Sequence, residues 1–138
     1  MSQPRHRAVV VDTDVVSYLF KRDSRAESYR PHLEARQLVL SFMSLAELYR
    51  WTLRRRWGQA RRQRLEAHLR NFTVYPFDRA LCRQWAEVTE ERQQAGRPIA
   101  VADAWIAATA LAHDLPLVTH NPDDFSGVPD LVVISEAG

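Results

Sequence analysis

Apolar positions along the chain fall into short runs that alternate with longer stretches at helical spacing. Ala8-Val9-Val10-Val11 is a β-branched run that stops abruptly at Asp12-Thr13-Asp14. That pattern predicts a strand buried on both faces, as in a parallel sheet. Val15, Val16, Tyr18, Leu19 and Phe20 predict a helix ending near Asp23-Ser24, and Ala26 to Arg36 a second one with a restart near Pro31. Leu38-Val39-Leu40 is the next strand. Ser44-Leu45-Ala46-Glu47 then opens a long helix with Leu45, Leu48, Trp51 and Thr52 at helical spacing, and Gly58 breaks it. Another helix is expected from Gln59 to Arg70, followed by a short strand, Phe72 to Pro76.

Arg79 to Gln94 predicts a helix stopped by Gly96, with Pro98 just beyond it in the expected order. Ala102 to Ala112 is nearly all apolar, the signature of a helix buried inside a fold. Leu117-Val118-Thr119 and Leu131 to Ile134 complete the strands. Short strands alternating with helices predict a three-layer α/β/α sandwich around a mostly parallel sheet. No internal repeat, linker or low-complexity segment interrupts residues 1–138, so one domain is expected.

Composition narrows the class. A chain of 138 residues has the usual length of one domain. The single cysteine, Cys82, can form no internal disulfide, and no apolar leader follows Met1 to Arg7, so a cytoplasmic protein is expected. The longest apolar stretch, Ala104 to Ala112, is too short to span a bilayer. Net charge is only +2, but its distribution is uneven. Eight of the eighteen arginines lie between Arg50 and Arg70, against one acid, Glu66. Such a block suits a polyanion, or simply a solvated helix face.

In a parallel sheet, sites form beyond the carboxyl ends of the strands. Asp12 and Asp14 follow the first strand, and Glu47 sits early in the helix after the second. Asp103 begins the buried helix, and Asp123 and Asp124 come just after Leu117-Val118-Thr119. Each also has a plain structural use. Ser44-x-x-Glu47 reads as a capping box, Asp12, Asp14 or Asp103 as helix starts, and Asp123-Asp124 as a turn after Asn121-Pro122. Gathered at one edge, however, the acids would repel each other and raise one another's pKa. A hard divalent ion such as Mg²⁺ or Mn²⁺ would relieve that repulsion.

Other chemistries lack their parts. The five histidines have no paired spacing for zinc, the four glycines make no phosphate-binding loop, and no Gly-x-Ser-x-Gly occurs.

At these residues the chain resembles the PIN-domain ribonucleases, and among them the VapC-type toxins of prokaryotic toxin–antitoxin pairs. The resemblance rests on Val9-Val10-Val11-Asp12-Thr13-Asp14, Ser44-Leu45-Ala46-Glu47-Leu48, Ala102-Asp103-Ala104-Trp105-Ile106-Ala107-Ala108-Thr109-Ala110, and Leu117-Val118-Thr119-His120-Asn121-Pro122-Asp123-Asp124-Phe125. Val128-Pro129-Asp130-Leu131 extends it, with Asp130 where glycine is common. It implies a PIN-like fold and an endoribonuclease in which Asp12, Glu47 and Asp103 hold one or two Mg²⁺ or Mn²⁺ ions.

Relatives differ in the fourth position. The acid stands either at Asn121 or at Asp124, and Asp124 is the expected ligand here with Asn121 in support. Thr13, Asp14 and Thr119 would support the ligands. Arg50, Arg54, Arg55, Arg61 and Arg62 would hold the RNA backbone. The resemblance also implies an antitoxin (VapB-like) partner and a toxin homodimer. Tyr18, Leu19, Phe20, Leu48, Trp51 and Trp57 are core or groove candidates, Trp57 being the one expected to be exposed.

Two rivals compete. Val9 to Val15 also fits a HAD-type phosphatase, whose balancing lysine would have to be Lys21, within ten residues of the nucleophile. A catalytically silent PIN-like module that only binds RNA or a protein would have lost a ligand acid, yet Asp12, Glu47 and Asp103 are all present.

Overall fold

The computed structural model describes residues 7–138; the reading of Met1 to His6 lies outside them. Five strands form one sheet: β1 (Ala8–Val11), β2 (Gln37–Ser41), β3 (Phe72–Tyr75), β4 (Leu117–Val118) and β5 (Val133–Ile134). Their order is β3-β2-β1-β4-β5, and every pairing is parallel. β1 is central because nothing along it is polar, and Val9, Val10 and Val11 are fully buried. Its alternate side chains feed two cores. Val9 and Val11 join a cluster with Val15, Tyr29, Leu48 and Leu65; Val10 joins one with Val88, Ile106 and Ala107.

Those clusters define the layers. On one face lie α1 (Thr13–Lys21), α2 (Ala26–Leu33), α3 (Phe42–Arg54) and α4 (Gln59–Leu69). On the other lie α5 (Arg79–Gln94) and α6 (Val101–Ala112). The three-layer α/β/α expectation holds, with a sheet that is parallel throughout. Gly96 ends α5 at φ +73°, a conformation that side chains with a Cβ rarely adopt.

Four details differ from the pattern. α1 starts at once after β1, because Asp12 caps it by accepting from the Thr13 amide at 2.8 Å. α2 ends at Leu33 rather than Arg36, with Pro31 inside it. α3 starts at Phe42, not Ser44: Ser41 is its cap and accepts from the Met43 amide at 3.1 Å. The expected Ser44–Glu47 capping box therefore does not form. Trp57 is buried, only 8% exposed, where exposure was expected. Its ring stacks on Phe20 and packs against Trp51, while Arg61 covers it at 4.0 Å.

Among the described residues no helix is long and apolar enough to cross a membrane.

Candidate active site

All strands leave the sheet at the same edge, and the acids follow them there. One open pocket of about 340 Å³ is lined by Asp12, Thr13, Asp14, Ser17, Glu47, Leu48, Trp51, Asp103, Asn121 and Asp124. It draws on the end of β1, the start of α1, the second turn of α3, the first turn of α6 and the turn after β4. Among the described residues no basic side chain lines it. Clefts of larger volume carry none of these aspartates, although one of them adjoins the pocket.

Hydrogen bonds fix the carboxylates individually. Asp12, buried, accepts from the Thr119 hydroxyl at 2.7 Å through its second oxygen. Asp14 accepts from the Val15 amide at 2.7 Å, from the His120 amide at 3.0 Å and from Asn121 Nδ2 at 2.7 Å. The Thr13 hydroxyl lies 2.9 Å from Glu47 Oε1 and 2.8 Å from Ser44 Oγ. The Ser44 and Glu47 side chains thus serve the pocket and not the helix end. Asn121 N–H donates to Thr119 Oγ1 at 3.0 Å, closing the loop.

The electrostatics are those of crowded like charges. Burial, then the charge of Asp14 and more weakly that of Asp103, pushes Asp12 up to about 7 against the pull of its two hydrogen bonds. Burial, followed by Asp124, Glu47 and Asp14, pushes Asp103 up to about 6. Burial also raises Asp14. The donors are all oxygens, which suits a hard ion such as Mg²⁺ or Mn²⁺. Among the described residues, no group of three or more histidine, cysteine, aspartate or glutamate side chains is drawn in tightly enough to hold a metal ion as it stands. The carboxylates instead face a common space, and Asp12, Asp14 and Glu47 are engaged with their own hydrogen-bond donors.

A PIN domain model matches residues 9–131. The chain belongs to the PIN-domain family. The ribonuclease VapC1 of Haemophilus influenzae strain R2866 is 28% identical over 124 residues, covering 88% of this chain and 92% of that protein. The VapC ribonuclease Y4jK of Sinorhizobium fredii is 30% identical over 125 residues, 85% of this chain and 89% of that protein. Among solved structures, VapBC-1 from nontypeable Haemophilus influenzae superposes with a TM-score of 0.76 at 27% identity, covering 93% of this chain and 97% of that one.

The PIN domain brings together most of the residues singled out in the sequence. Asp12, Thr13, Asp14, Glu47, Asp103, Asn121 and Asp124 line the pocket, and Thr119 lies beneath it. Asp123 does not line it. The arginine block splits. Arg50, Arg54 and Arg55 line an adjoining cleft that shares Glu47 and Trp51 with the acid pocket. Arg61 lines a different cleft with Lys21, Arg22 and Arg64, and exposed Arg62 lines neither. Leu48 and Trp51, read as core or groove candidates, line the pocket, and Ser17 was missed although helical spacing offered a signal. Ser17 lies one turn beyond Thr13 and Asp14, and Trp51 one turn beyond Glu47.

The raised carboxyls make a stability prediction. Between about pH 4 and the raised values near 6 and 7, the folded PIN domain keeps protons that the unfolded chain has released. The metal-free protein should therefore lose stability as pH rises through that window. Asp103→Asn should stabilise it at pH 8 by on the order of 1 kcal/mol, discounted for a carboxyl that is only half-buried. The gain should vanish near pH 4. Denaturant melts of both proteins at the two pH values check this.

Proposed function

We propose that this PIN domain is a metal-dependent endoribonuclease, the toxin of a type II toxin–antitoxin pair, that hydrolyses RNA phosphodiester bonds. The single observation that carries the reading is the convergence of five carboxylates on one pocket with no basic side chain among the described residues of its lining, in a chain whose relatives are named ribonuclease VapC. Asp12, Glu47, Asp103 and Asp124 would hold Mg²⁺ or Mn²⁺, with Asn121 in support. When bound, such an ion supplies charge neutralisation at the scissile phosphate and a more acidic water.

The protein's own groups would do the rest. Thr119 and the Thr13 amide fix the direction of the Asp12 oxygens. Thr13 holds Glu47 aimed into the pocket, where Glu47 would orient the attacking water and accept its proton. Asp14 is engaged by His120 and Asn121 and would keep the turn after β4 in place. The products would be a 5′-phosphate and a 3′-hydroxyl. Arg50, Arg54 and Arg55 stand beside the pocket and would hold the RNA backbone without reading its sequence. Arg61 and Arg62, farther along, would contribute less.

A phosphatase is not favoured, because Lys21 lines a different cleft and leaves no lysine to balance a phosphoryl group at Asp12. We further infer an antitoxin partner, in line with the VapBC-1 structure, and a cytoplasmic homodimer built from this one nuclease domain.

Purified protein, freed of any bound partner, should cleave RNA with Mg²⁺ or Mn²⁺ and not with EDTA. Asp103→Asn should lower cleavage by more than about 100-fold. The same substitution is expected to stabilise the metal-free fold at pH 8, so its loss of activity cannot be put down to unfolding. Equal cleavage by both proteins would overturn the site. The double variant Arg54→Ala/Arg55→Ala should raise KM with little change in kcat and make the salt dependence shallower by about one to two phosphate contacts, read from KM across a salt series.

A further inference from the structure

Helix α2 contributes no residue to the acid pocket, yet it holds Tyr29, fully buried, with a hydroxyl that reaches the segment behind that pocket. Tyr29 Oη lies 2.6 Å from Nδ1 of His120 and 3.4 Å from the Thr119 carbonyl oxygen. It also accepts from the Glu136 amide at 3.0 Å. The His120 ring is held edge-on by two aromatic rings, Tyr18 at 5.4 Å and Tyr29 itself at 5.7 Å. Residues 119–121, gripped in this way from one side, give three hydrogen bonds to the other. Thr119 Oγ1 donates to Asp12, and the His120 amide and Asn121 Nδ2 both donate to Asp14.

A phenylalanine at position 29 would fill the same apolar space without the cost of desolvating a hydroxyl. Among the described residues the hydroxyl holds His120, Thr119 and the segment near Glu136, whose side chain in turn meets His32 Nε2 at 2.7 Å.

We propose that Tyr29 is a positioning residue: by fixing His120 it sets the backbone at 119–121, and through it the directions of the Asp12 and Asp14 carboxylates and of the Asn121 amide. It touches no substrate. Its effect on catalysis runs through the second layer of contacts around the acids, where loss of a partner commonly costs 10- to 100-fold in metal affinity or rate. The proposal rests on the metal-dependent nuclease reading above.

The test uses the full chain and three variants: Tyr29→Phe, His120→Asn and the double variant. Each is measured for thermal stability, for binding of Mn²⁺ alone by the loss of free-ion electron paramagnetic resonance signal, and for kcat and KM on RNA. Tyr29→Phe should stay folded at the assay temperature, weaken Mn²⁺ binding and lower kcat, each about tenfold, and leave KM for RNA unchanged. The double variant should be no worse than the more damaged single one in Mn²⁺ binding and kcat, because both changes remove the same Tyr29–His120 contact. Shifted ¹⁵N resonances of the His120 ring in Tyr29→Phe would report the lost contact directly.

Undiminished Mn²⁺ affinity and kcat in Tyr29→Phe, with or without a lower melting temperature, would make the hydroxyl a purely structural brace and overturn the proposal. An effect confined to KM would overturn it as well. A wild-type protein that neither binds Mn²⁺ nor cleaves RNA would overturn the nuclease reading, and the positioning role with it.

Discussion

β1 is hydrogen-bonded in parallel on both sides, to β2 and to β4, and that pairing creates the acid pocket. Parallel pairing sends the carboxyl ends of all three strands to one edge, and the chain must turn there in each case. After β1 it turns through Asp12 into α1; after β2 it turns through Ser41 into α3, which carries Glu47. After β4 it turns through Thr119, whose hydroxyl returns to Asp12. Asp103 arrives from the opposite layer on α6. No two of Asp12, Glu47, Asp103 and Asp124 share an element, so a shift in the pairing of β1 would scatter them.

Bringing carboxylates together in a half-buried pocket opposes folding, and the raised Asp12 and Asp103 carboxyls record that opposition. Two things offset it. Hydrogen bonds from Thr13, Thr119, His120 and Asn121 hold individual oxygens, and the apolar clusters on both faces of the sheet supply the bulk of the stability. Proteins commonly carry such local conflicts where function needs them. Here the conflict has a specific chemical meaning, since a hard cation would turn the repulsion into attraction.

Much of this was legible in the sequence because the signals were local. The run Ala8 to Val11 ending in Asp12 named both the central strand and its acid, and Gly96 marked the end of α5. Long-range contacts left no such trace. Thr119 and Asp12 are 107 positions apart, and Tyr29 and His120 are 91 apart, so neither pairing follows from any spacing. Ser44 was read as the start of α3, but the cap went to Ser41, freeing Ser44 to meet Thr13. The arginine block looked continuous in sequence. Gly58 separates α3 from α4, and Arg55 and Arg61 end in different clefts. Trp57 was misjudged because its charged neighbours suggested solvent, whereas Phe20 and Trp51 cover its ring.

That the carboxylates of separate elements form one cation site is open to test by diffraction. Crystals grown without metal and soaked in Mn²⁺ can be measured for anomalous scattering. A strong peak is expected within bonding distance of Asp12 and Asp103 oxygens, absent from identically soaked Asp12→Asn crystals. No peak in that pocket, or Mn²⁺ found only at another site such as His32 and Glu136, would contradict it.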